Sequence, residues 1–208
     1  MTAKGKIMLE YLPSIVEYGM ALIKDYLIIC TALVGIYNIN TWRKEHINKK
    51  RIDLAEKTLC LFYEARDAIK YVRNPLIFTS EGNSRHKNEN ETYEESEALR
   101  KGHITAERFE KFKDVLVDLT KVKYRFKAMF NNGEESFKNL HDIINEILNA
   151  SIALPSVLMM RDLDQETKQH KKELKSIIWG FGSEDDHITP IVDEIVNSME
   201  NICKKIIN

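Results

Sequence analysis

Proline and glycine are scarce: the 208-residue chain holds four of the first and eight of the second. Both interrupt regular backbone, so their rarity leaves room for long helices. Cysteine is sparse and odd in number, at Cys30, Cys60 and Cys203, with no CxxC and no Cys/His spacing. That excludes a disulfide scaffold and a recognisable zinc site, and it suits a reducing compartment. An excess of either charge is missing too, the net charge being −1. A dedicated nucleic-acid binder needs a surplus of Lys and Arg, so nucleic acid is not expected as a partner. There is no phosphate-gripping glycine loop, no GxSxG and no HExxH.

Hydrophobic residues make up 43 % of the chain, enough for a core, while the mean hydropathy of −0.37 marks most of it as water-facing. The exception is Tyr26 to Trp42, YLIICTALVGIYNINTW, which carries no charge. It has aromatics at both edges and is followed by Arg43, Lys44, Lys49, Lys50 and Arg51. Buried charge is expensive in lipid and Trp/Tyr settle at headgroups, so residues 26–42 read as a membrane span marked by Tyr26, Leu33 and Trp42. Its 17 residues reach about 26 Å at helical rise, just under the ~30 Å hydrocarbon thickness. A buried core helix is the alternative, and Asn38 and Asn40 favour it. Five basic residues follow Trp42 within ten positions, against Lys4, Lys6 and Lys24 before it, which puts the C-terminal bulk in the cytoplasm. Arg43 to Arg51 is also the best cluster for anionic lipid, at about 1 kcal/mol per cation. Topology-setting charge is an equal reading.

Residues 1–25 read as a separate amphipathic segment, not as a cleaved signal, because Pro13, Glu17, Lys24 and Asp25 interrupt it. Glu10, Glu17 and Lys24 share a helix face, with Leu9, Leu12, Ile15, Val16, Met20 and Ile23 around them. Such a segment can lie in the interface, pair with another copy, or extend the anchor.

Residues 43–208 read as a cytosolic bundle of four or five antiparallel helices. The first helix runs from Trp42 to Arg73 with the stripe Ala55, Thr58, Leu59, Phe62, Ala65, Ile69 and Val72, and stops at Asn74-Pro75. Residues 79–92 are polar, Gly/Asn-rich and aperiodic, a mobile loop. Thr92 and Glu95 form a capping box, Gly102 should interrupt the helix, and Thr105 should cap it again. Phe109 to Met129 is a regular stripe ended by Asn131-Asn132-Gly133. Phe137 to Leu158 is another, with Pro155 expected to kink it near Ser151. A charged helix spans about Asp164 to Trp179, carrying Leu163, Leu174, Ile177 and Ile178. Thr189, as N-cap before Pro190, starts the last helix. No alternation indicates strands, so the fold class is all-α.

Chemistry is hard to find. Of the six histidines only His187 sits in a Glu-x-x-His spacing, with Glu184, in an expected acidic loop. Asp162-x-Asp164-x-Glu166 opens like a calcium loop but lacks its Gly and terminal Glu. His141 and Glu146 have no nucleophile or ligand partner, and Arg100 and His103 are too close for the pairing of RNA-cleaving bundles. Lys121, Lys123, Arg125 and Lys127 diverge by about 200° at each two-residue step and read as solvated surface. No catalytic, cofactor-binding or metal residue is assigned. Glu64, Arg66, Asp67 and Arg73 are the candidates for a partner-facing surface, against ordinary surface ion pairs.

The segments TWRKEHINKKRIDLAEKTLCLFYEARDAIKYVRNP (41–75), YRFKAMF (124–130), INEILNAS (144–151) and ITPIVDEIVNSMENICKKI (188–206) resemble, in that order, a family of uncharacterised bacterial proteins. Each has an N-terminal membrane helix running into an aromatic-Tyr-Glu-Ala-Arg-Asp helix. The resemblance implies an anchored, all-helical inner-membrane protein and transfers no site residue. The expectation is a non-enzymatic single-pass protein that binds another protein or itself, or senses a state. The alternatives are a membrane-perturbing effector of an antiphage or toxin system and a soluble helical hydrolase.

Overall fold

A computed structural model describes the backbone of residues 3–160 and 164–208, with side chains from residue 16 onward within those limits. Among the described residues there are six helices and no strand: α1 (Ala3–Val72), α2 (Tyr93–Glu110), α3 (Lys113–Met129), α4 (Glu134–Met159), α5 (Gln165–Trp179) and α6 (Ile188–Ile207). The protein is all-helical. It divides into two units, Met1–Lys50 and Arg51–Asn208, with α1 contributing residues to both.

The backbone of α1 is helical without a break from Ala3 onward, through Pro13 and past Trp42. The expected apolar positions Leu9, Leu12 and Ile15 lie outside the described side chains, as does Leu163 before α5.

In the second unit, α4 is the central helix and packs against α2, α5, α6 and α3. Its leading half joins Leu54, Phe62, Ala65, Ile69 and Val72 of α1, Val122 and Phe126 of α3, and Val192, Val196 and Met199 of α6 in the main core. Phe62 and Phe126 both meet the Phe137 ring, at 5.0 and 5.8 Å between centroids. The trailing half of α4 forms a second cluster with Leu174 and Ile178 of α5. Such stripes bury because each apolar side chain removed from water contributes about 1.5–3 kcal/mol.

Some local signals hold at the helix starts. Thr92 accepts from the Glu95 backbone and Glu95 bonds back to the Thr92 N–H, at 3.2 and 2.9 Å. Gly133 precedes α4 with φ 87°, a conformation that a Cβ disfavours. Asp164 caps α5 through the Thr167 N–H at 2.7 Å, while Asp162 of the same spacing lies outside the described residues.

Three expectations are corrected. Gly102 does not interrupt α2; it lies where a Cβ would come within 2.6 Å of Pro155 Cγ and 2.7 Å of Ser151 O. Pro155 has no N–H for the Ser151 carbonyl one turn earlier. The missing side chain of Gly102 lets α2 approach α4 at that carbonyl. The break falls at Lys111–Phe112 instead, so Phe109 belongs to α2 and not to the α3 stripe, and Thr105 is buried inside α2 instead of capping it. Finally, α6 begins one residue before Thr189. The group that receives the Thr189 N–H and hydroxyl is the Asp186 carboxylate, at 3.1 and 2.6 Å.

Candidate functional site: the apolar arm and the arginine joints

Among the described residues two helices are long and apolar enough to cross a bilayer, and burial separates them. None of the most apolar window of α1 is buried, whereas 44 % of that of α4 is, as befits a core helix. Tyr26, Leu33 and Trp42 are 67, 61 and 64 % exposed, and Leu27, Ile28, Ile29, Val34, Ile36 and Ile39 are comparably bare. These residues lie on all sides of the helix, so the block is apolar all round, not amphipathic. Contiguous exposed apolar surface of this kind marks contact with lipid or protein. Thr31 and Thr41 fold their hydroxyls onto Leu27 O and Tyr37 O, at 2.8 and 3.0 Å, which satisfies each donor within the helix. The Trp42 ring stacks on His46 with centroids 5.4 Å apart.

Arg43, Lys44, Lys49, Lys50 and Arg51 are all exposed. At about 100° per residue, Arg43, Lys50, Arg51 and Lys44 fall within a sector of roughly 120°. Lys49 points elsewhere. The Arg51 guanidinium lies 5.1 Å over the Phe130 ring, so one member of the set also packs on the second unit's own surface.

The partner-surface candidates do not come together. Glu64 and Asp67 are exposed, and Arg66 pairs with Asp67 at 3.3 Å while lying over the Tyr63 ring. Arg73 leaves the group altogether, being 0 % exposed. It donates to Ile177 O and Ser176 O (2.7 and 3.0 Å), carbonyls at the end of α5 that have no helical donor. It also reaches Thr189 Oγ1 at 3.0 Å and pairs with Asp186 at 2.8 Å. Burial lowers the Arg73 pKa, opposed by the Asp186 hydrogen bond and charge. Burial pushes the Asp186 carboxyl up, but the bonds from Thr189 and Arg73 outweigh it and leave its pKa below the usual value.

A second buried arginine has no counterpart among the residues singled out from the sequence. Arg108, 1 % exposed, uses all five of its donors. It meets Glu81 Oε1 and Oε2 at 2.9 and 2.8 Å, Val72 O at 2.9 Å, Asn74 O at 2.6 Å and Leu76 O at 2.5 Å. Its hydrogen bond lowers the Glu81 pKa despite that carboxyl's burial. The 79–92 segment is irregular, as expected, but tied to α2. Glu107 accepts from Gly82 N and Ser84 Oγ at 2.7 and 3.0 Å, and Ser84 Oγ meets His103 Nε2 at 3.0 Å. Arg85 and Glu91 form a bidentate pair that drives the Glu91 pKa down to about 2. Ser84, His103 and Glu107 do not form a relay, because the carboxylate meets the hydroxyl and not the imidazole. Beside this joint Leu76 and Phe78 stand 70 and 67 % exposed, an apolar pair whose signal was the run Leu-Ile-Phe after Pro75.

Among the described residues no group of His, Cys, Asp and Glu is placed to hold a metal ion. His141 and Glu146 are exposed, and Lys121 and Lys127 pair with Asp118 and Glu134 at 2.9 and 2.7 Å, as a solvated helix face does. Compared with known proteins, the chain matches no family model, no curated protein and no solved structure. Its function therefore rests on these residues alone.

Proposed function

We propose that this is a non-enzymatic, single-pass membrane protein in which residues 26–42 cross the bilayer and residues 43–208 form a cytoplasmic, antiparallel helical bundle that binds a protein partner. The observation that carries the reading is the exposure of an uncharged block on every side of α1, where nothing in the described chain covers it. In water, that surface costs about 25 cal/mol per Å²; in acyl chains the cost disappears. The basic residues from Arg43 to Arg51 favour the cytoplasmic side for the chain beyond them. Leu76 and Phe78, held in place by the Arg108 joint, are the surface best suited to a protein partner, with Glu64, Arg66 and Asp67 as a second candidate face.

The test is fractionation and topology in cells. Alkaline carbonate should leave the chain in the membrane pellet. A C-terminal fluorescent protein should be bright, and a C-terminal periplasmic phosphatase should be inactive. Release into the supernatant without detergent would remove the span, and an active phosphatase would invert the orientation.

A further inference from the structure

Along α1 one set of polar residues recurs with a fixed period. Glu17, Lys24, Thr31, Asn38 and Glu45 recur every seven positions along α1. Met20, Leu27, Val34 and Thr41 follow each of the first four by three. Together they make an alternating three- and four-residue seam, the spacing with which one helix supercoils left-handedly around another. Asn40 is off this seam, about 200° from Asn38 around the axis.

We propose that the seam pairs with the same seam of a second copy, forming a parallel homodimer through the bilayer with Asn38 facing Asn38. The inference rests on the span proposed above. Glu17, Lys24 and Glu45 lie outside residues 26–42, where water and headgroups solvate like charges. Thr31, Asn38 and Thr41 fall inside, and both threonines bond their hydroxyls to their own helix. Asn38 lies about 6 Å from the centre of the block, deep within a ~30 Å hydrocarbon layer. A carboxamide there needs a donor and an acceptor, and among the described residues Asn38 makes no side-chain hydrogen bond. Two identical chains inserted the same way bring the two carboxamides to the same depth, and each offers the other both groups. Gly35, where an added Cβ would meet nothing within 4 Å, flanks the seam and permits close approach of the helices. A single asparagine at such a position is a known device for fixing pairing and register.

The experiment is cysteine crosslinking of the full-length protein in native membranes. Cys30 and Cys60 are replaced by Ala. Cys203 stays, since it is buried with its thiol pushed up to about 11. Single substitutions then place cysteine on the seam (Thr31→Cys, Val34→Cys, Thr41→Cys) and off it (Leu33→Cys, Ile36→Cys, Asn40→Cys). The expected result is a disulfide-linked species of twice the chain mass from the seam set, several-fold more abundant than from the off-seam set. Asn38→Leu should weaken association by roughly 3- to 20-fold, and Asn40→Leu should leave it unchanged. A flat profile, maxima on the off-seam set, or adducts only with a different protein would each overturn self-pairing. Carbonate extraction of the same membranes separates that failure from failure of the span: a pelleted chain with a flat profile spans without pairing, whereas an extracted chain sinks both.

Discussion

Leu33 and Leu54 stand on the same helix, yet one is 61 % exposed and the other 2 %. The residues around Leu33 are apolar on every side, while those around Leu54 keep Asp53, Glu56 and Lys57 exposed on the faces that do not pack. The two stretches are patterned differently. Around Leu54 the hydrophobic residues form one stripe because the rest of the helix must remain wet. Around Leu33 no face is kept wet, which is what an acyl environment demands. Polar groups show the same division. In the second unit the two buried arginines, Arg73 and Arg108, are each met by several partners. In the first, Thr31 and Thr41 bond only to their own helix and Asn38 is left for something outside the chain.

The sharpest way to break this contrast is to put a charge into the exposed block. Leu33→Arg costs roughly 2.5–3.5 kcal/mol on insertion scales, so membrane association should fall by about 100-fold, read as pelletable protein after carbonate. Because Leu33 makes no core contact, the unfolding transition of residues 51–208 should not move. Arg108→Met tests the opposite pole. It strands the Glu81 carboxylate and three backbone carbonyls, and it should destabilise the second unit by about 3–5 kcal/mol in urea unfolding with membrane association intact. Removing the stranded carboxylate as well, in Arg108→Met with Glu81→Leu, should recover part of that loss.

A smaller effect is expected at the α2–α4 approach. Ala at position 102 gains up to about 1 kcal/mol of helix propensity. It also drives a methyl into Pro155 and Ser151 O, an overpacking that typically costs about 1–3 kcal/mol. Gly102→Ala should therefore lower stability, and an unchanged or raised urea midpoint would show that the approach is not tight. The mildest probe is pH. The Arg108 hydrogen bond lowers the Glu81 pKa in the folded state, so its contribution is complete above the ordinary carboxylate value of 4.5 and is lost as pH falls through the lower folded value. The urea midpoint should drop on acidification below 4.5, less steeply in Glu81→Gln. An equal slope in both would assign acid sensitivity to other carboxylates, such as Glu91 with its pKa near 2.

What could be read from the sequence was whatever a few neighbouring residues decide. Thr92 and Glu95 satisfy each other across one turn, and Gly133 takes a left-handed conformation just before α4. The helical class and the core stripes came from periodicity for the same reason. The joints were illegible because their partners are remote: Arg73 meets Ile177, and Arg108 meets Glu81 and the carbonyls after α1. From sequence, an arginine bound for the interior looks like one bound for the surface, so Arg73 is indistinguishable there from its neighbours Glu64, Arg66 and Asp67 on a charged helix face. From sequence Gly102 looks like a breaker because its contact, Pro155, lies on another helix. No residue at Lys111–Phe112 announces the break there, and nothing in the local structure explains it.

The fastening by Arg108 has a consequence for how the second unit can come apart. One guanidinium holds Val72, Asn74, Leu76 and Glu81 together, so that stretch cannot lift off a residue at a time. It opens as a block or stays shut, and a protease probing the native fold should nick the exposed 86–90 tip well before it reaches the backbone between Asn74 and Glu81.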